Sequence, residues 1–242
     1  MKIKEAREFG ARLAEDVHTG KMREAMQKLN PLLAQRIKFP VLGAIGGAVG
    51  AGPLETTNQF LPLVAATKTE GGWPIVGMAL GAQLDRDLAG ALVRCRAFMI
   101  EGDIWYCADI LSERVPGPAL LLDFDATLKT ITPWRDDENR WVRRSIGVAI
   151  HYWAKRAKGA AGHLPQAVRL LDLIEPMFTE WEMDVVKGVG WSMKTLGQYF
   201  PDLLTDWLVN QVVPSERKHR ALMLKKAITY LSPEQKARIL KA

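Results

Sequence analysis

Cysteine is scarce: the 242 residues hold two, Cys95 and Cys107, both inside helical patterns rather than loops. That argues against a disulfide framework and predicts two thiols packed as small hydrophobes in a reducing compartment. The four histidines, at positions 18, 151, 163 and 219, show no metal-ligand spacing with one another or with the cysteines, so no metal or other cofactor is expected. Nothing approaches the ~20 apolar residues of a membrane span. The longest weakly polar stretch, FPVLGAIGGAVGAGPL from Phe39 to Leu54, is broken by two prolines and five glycines. The N-terminal MKIKEAREFGARLAED lacks the continuous apolar core of a secretory signal, and a cytoplasmic location is the expectation. Alternating β-branched runs are absent too, which excludes a sheet.

What remains is helical periodicity almost throughout, cut by turn signals. It predicts helices over 3–18, 21–37, 54–68, 73–84, 86–101, 103–114, 117–131, 137–157, 164–176, 181–200, 201–211, 214–230 and 232–241. Prolines at 116, 118, 133, 165, 201, 214 and 233 sit at the joints, where a missing N–H costs least. Beyond about residue 85 the helices pair at a loose spacing of roughly 35 to 45 residues, as in HEAT-like solenoids. The expected fold is all-α: one HEAT-like domain over 1–242, with a helical hairpin at 1–40, a glycine-rich connection at 41–53, and helix pairs over 54–242 forming a concave basic cleft. GAIGGAVGAG has no Gly-Lys-Ser/Thr ending and no strand-to-helix setting for a dinucleotide fingerprint, so it is no phosphate loop. Composition, 48% apolar and 25% charged, is that of a globular protein. A net charge of +6 and a pI near 9.3 favour an anionic partner, provided that the basic residues share a face.

Three helices carry residues that an ordinary core does not need. In GDIWYCADI, Ile104, Cys107, Ala108 and Leu111 share a stripe, while Trp105, Asp109 and Ser112 fall together beside it. Trp105 and Asp109 are an i,i+4 pair able to set an acid beside an aromatic wall. In RWVRRSIGVAIHYWAKR, Arg144, Gly147, His151 and Lys155 line the strip opposite the apolar face, with Arg143 at its edge. Such a strip also suits a merely solvated helix side, with His151 a surface or capping residue. In WEMDVVKGVGWSMKTLGQYF, Trp191 falls almost opposite the apolar stripe, flanked by Lys187, Lys194 and Gln198. Either another element covers that indole or it meets a nucleic-acid backbone, with the lysines on phosphate. The cluster SERKHRALMLKK, with Arg217, Lys218, Arg220, Lys225 and Lys226, adds candidate phosphate contacts.

At DIWYCAD, NRWVRRSIGVAI and KGVGWSMKTLGQYFPDLL the chain resembles the DNA alkylation repair family of HEAT-like DNA glycosylases, the AlkD-like proteins. The resemblance runs over roughly residues 86 to 230. The family's W-x-x-x-D pair falls on Trp105 and Asp109, the arginine of its W-x-x-R motif on Arg144, and the tryptophan of its G-W motif on Trp191. Tyr106 stands where members commonly have an acid, and the glycine-rich region before residue 85 has no counterpart. The resemblance implies a monomer acting on double-stranded DNA with alkylated bases. An N3- or N7-alkylated purine is cationic and leaves readily, so the enzyme must chiefly stabilise the sugar cation. Asp109 would do that, Trp105 and Trp191 would cradle the nucleotide, and Arg144 would grip phosphate with Lys187, Lys194, Arg143, His151 and Lys155 nearby. A non-catalytic HEAT-like protein binding damaged or branched DNA, and a protein scaffold, are the alternatives.

Overall fold

The computed structural model describes residues 1–212 and 219–241. Arg217 and Lys218, and the start of the helix expected over 214–230, lie outside the described residues. Among those described, every regular element is helical and no strand occurs. No helix among them is long and apolar enough to cross a membrane. The chain divides into two compact units, Met1–Leu122 and Asp123–Ala242.

The first unit contains α1 (Ile3–His18), α2 (Met22–Leu33), α3 (Phe39–Gly50), α4 (Leu54–Ala65), α5 (Gly72–Gly81), α6 (Leu84–Gly102), α7 (Trp105–Arg114) and α8 (Pro116–Leu122). Two rows run through it: α1, α3, α5 and α7 touch in succession, and so do α2, α4, α6 and α8. α1 shows why. Its buried residues, Ala6, Gly10, Leu13, Ala14 and Val17, recur at helical spacing on one face, which must be covered to leave water.

Residues 41–53, expected as a connection, are instead mostly α3, a buried helix between α1 and α5. Glycine has low helix propensity because it loses the most backbone freedom. Close approach outweighs that cost here. A Cβ on Gly46 would lie 2.4 Å from the Ile75 carbonyl oxygen, and one on Gly50 would lie 2.3 Å from that of Ala79. The end of α3 is held from α6, where the Arg86 guanidinium donates to the carbonyls of Gly52 at 2.7 Å and Gly50 at 2.5 Å. This satisfies acceptors that a helix C-terminus leaves open.

The second unit contains α9 (Phe124–Ile131), α10 (Arg140–Ala157), α11 (Leu164–Ile174), α12 (Met183–Tyr199), α13 (Pro201–Val212), α14 (Ala221–Ala227) and α15 (Pro233–Lys241). α12 lies between α10 and α14, and α13 contacts α12 and α15. The helix expected over 117–131 is broken into α8 and α9. Asp123 leaves the helical region (φ −141°, ψ 95°), and its carboxylate accepts the Ala126 N–H at 3.0 Å, a local N-cap that restarts the helix. Cys95 and Cys107 are fully buried free thiols. Burial pushes the Cys107 thiol up to about 12.

Candidate nucleic-acid interface

In the first unit, Trp105 opens α7 directly after Ile104, whose extended backbone (φ −147°, ψ 144°) forms the N-cap. Cys107, Ala108, Ile110, Leu111 and Ser112 are buried, so Ser112 belongs to the core side rather than beside Trp105. Its hydroxyl donates to the Ala108 carbonyl at 2.5 Å. Trp105 stays 55% exposed, unusual for so large an apolar side chain. Its ring meets Tyr106 edge-on at 5.8 Å. Asp109, one turn further along α7, is half-buried. α7 thus carries an acid one turn from an exposed indole.

In the second unit the strip Arg144–Gly147–His151 is buried and faces α12, correcting the reading of a solvated helix side and of His151 as a surface residue. The physical reason is Gly147. Without a side chain it lets α10 meet α12 backbone to backbone, and a Cβ there would lie 2.3 Å from the Gly188 carbonyl. Arg144, 7% exposed, donates to the Asp184 carbonyl at 2.8 Å, and its stem covers Gly188. The His151 ring stacks on Trp191 with centroids 4.0 Å apart and planes at 26°. Its Nδ1 lies 2.6 Å from the Thr195 hydroxyl, which donates to the Trp191 carbonyl at 3.1 Å. Burial, then the charges of Lys155, Arg156 and Lys194, pulls His151 down to about 4.

α14 completes the cluster. Lys226 lies across Gly190, where a Cβ would come 2.7 Å from the lysine Cδ. Burial, then the charges of Lys194, Arg144 and Lys187, lowers the Lys226 ammonium below its ordinary value. Cations from three helices therefore act on Lys226, beside Gly190 and next in sequence to Trp191. Lys187 and Lys155 are exposed, Lys194 and Trp191 half-buried. Lys194 lies over the Tyr230 ring at 5.2 Å, and that tyrosine is itself exposed. Clustered like charges repel each other, and an entering phosphate would reverse that cost.

Arg143 departs from the expected set. It is spent on the protein, ion-paired to Glu180 at 3.0 Å and donating to the carbonyls of Asp137 at 2.7 Å and Glu138 at 3.1 Å. This guanidinium staples the start of α10 to the segment before α12. Two residues escaped the sequence reading, Thr195 and Tyr230. Both lie four positions from a residue it did single out, Trp191 and Lys226, a spacing that could have found them.

A protein-family profile described as DNA alkylation repair enzyme matches residues 74–231. The chain belongs to that family. The match covers about two thirds of the sequence and includes Trp105, Asp109, Arg144 and Trp191, while α1 to α4 precede it. Among curated proteins and solved structures, none matches. Membership in the DNA alkylation repair enzyme family supports a role in DNA repair.

Proposed function

We propose that the protein is a monomeric DNA glycosylase that hydrolyses the N-glycosidic bond of cationic N3- or N7-alkylated purines in duplex DNA. The observation that carries this reading is the clustering of Arg144, Lys187 and Lys194 with Lys226, which lies across Gly190 next to Trp191, on three packed helices. Clustered cations beside an aromatic ring suit a sugar-phosphate backbone. The contact rows in each unit support a HEAT-like reading of the helix pairs.

In the proposed reaction, the C1′–N bond breaks and the purine leaves with the electron pair, becoming neutral. Water adds at C1′ and gives up a proton. Little general-acid help is needed because the leaving group is already cationic. Positive charge moves instead to the sugar, and Asp109 is assigned to oppose it and orient the water. Trp105 supplies the aromatic wall beside that carboxylate. Trp191 supports the cationic nucleotide by cation–π contact. Arg144, Lys187, Lys194, Lys226 and Lys155 serve the phosphates. Arg143 is assigned to hold α10 in place.

Tyr106 favours a second reading. It stands where the resembled glycosylases commonly have an acid, and a non-catalytic protein binding damaged DNA would not need that acid. Incubation with N-methylated duplex DNA separates the two. Free 3-methyladenine or 7-methylguanine above spontaneous depurination is expected of the glycosylase. Salt-dependent binding without release would establish the second reading, and absence of both would overturn each.

A further inference from the structure

Trp191 has two ring faces, and the structure closes one. The imidazole of His151 covers it, nearly parallel at 4.0 Å. That imidazole is itself anchored, since Nδ1 meets the Thr195 hydroxyl at 2.6 Å and Thr195 donates to the Trp191 carbonyl at 3.1 Å. The contacts form a closed loop: indole on imidazole, imidazole to hydroxyl, hydroxyl to the backbone of the residue that carries the indole. Swinging the indole toward α10 would require breaking it. A phenyl ring at 151 would fill the space equally well but would leave the Thr195 hydroxyl without its ring partner. Orientation, more than volume, accounts for a buried histidine here.

We propose that His151 is a positioning residue for Trp191, holding the indole with one face closed so that a bound cationic nucleotide meets the other. This inference rests on the glycosylase reading and deepens it.

The surroundings fit. The groups facing the imidazole are Lys155 and Arg156 from α10 and Lys194 from α12, together with Thr195 and Trp191. With burial, these cations keep the ring uncharged near neutrality. An imidazolium in this stack would draw on the same indole quadrupole that a cationic purine needs, and would repel the purine. The basic residues suited to phosphate thereby also keep the platform neutral. Their two effects have one electrostatic origin.

The test uses His151→Gln, which removes the stack, and Thr195→Val, which cuts the anchor while conserving shape. Motion of the Trp191 indole is isolated in time-resolved fluorescence anisotropy by subtracting the signal of each protein carrying Trp191→Phe. Both variants are expected to raise the fast-decaying amplitude at least twofold. Both should also lower kcat for 7-methylguanine release about tenfold, while the Kd for undamaged duplex changes less than twofold. Unchanged indole motion in Thr195→Val overturns the positioning role whether or not bases are released. Increased motion with unchanged kcat overturns its connection to the reaction. If the parent releases no base, the glycosylase reading falls, and the anisotropy result alone decides whether His151 positions Trp191.

Discussion

Gly147 of α10 and Gly188 of α12 meet so closely that a Cβ on the first would lie 2.3 Å from the carbonyl carbon of the second. This contact sets the distance between the helices and so brings His151 onto Trp191. Gly147→Ala must push them apart. Overpacking of this kind costs about 1–3 kcal/mol, measurable by urea unfolding, and base release should fall with it. Gly162→Ala is the control, because a Cβ there meets nothing within 4 Å, and it should change stability by less than about 0.5 kcal/mol.

Lys226 offers a test of the phosphate assignment. Each neutralised phosphate contributes about −0.9 to the slope of log K against log salt on duplex DNA. Lys226→Ala should therefore flatten the slope by about one, as read by fluorescence anisotropy of a labelled duplex. Its lowered ammonium pKa adds a pH signature. The charge is present below that pKa and lost above it, so parent affinity should decline with rising pH before the ordinary lysine value of 10.5 is reached. The alanine variant should lack that decline.

His151 predicts an acid-side effect. Its folded pKa is about 4 against an ordinary 6.5. Between these values the unfolded chain binds the proton and the native protein does not, so stability falls as pH drops from about 6.5 to about 4. Above that window the term vanishes. Urea titrations of the parent and His151→Gln should diverge in that window, the parent losing more stability on acidification. An NMR titration of the imidazole should show a midpoint near 4 for this residue.

Much of the fold was legible in the sequence because helical periodicity survives wherever one face is buried. α1 was expected over 3–18 and spans Ile3–His18. The rule misled in two places. α3 is covered by helices on more than one side, and its glycines, read as a connection, are close-packing surfaces. Asp123 breaks a continuous apolar pattern by a cap that looks like any other acid in a helix. The site shows the same division. Trp191 and its lysines stood out as an indole on a polar face. His151 and Arg144 did not read as buried, since a polar strip looks solvated until a glycine lets a neighbouring backbone come down on it. Arg143 could not be told from Arg144, as its fate depends on Glu180, 37 positions away in the chain.

In the proposed reaction the Asp109 carboxylate opposes positive charge on the departing nucleotide's sugar. Asp109→Asn retains the shape and removes the charge, so release of 7-methylguanine from methylated duplex DNA, measured in single turnover beside the Kd for the same duplex, tests it most directly. The variant should release the base at least a hundredfold more slowly with Kd within about threefold of the parent, a loss on the scale of one removed electrostatic stabiliser. Release at the parent's rate would contradict it.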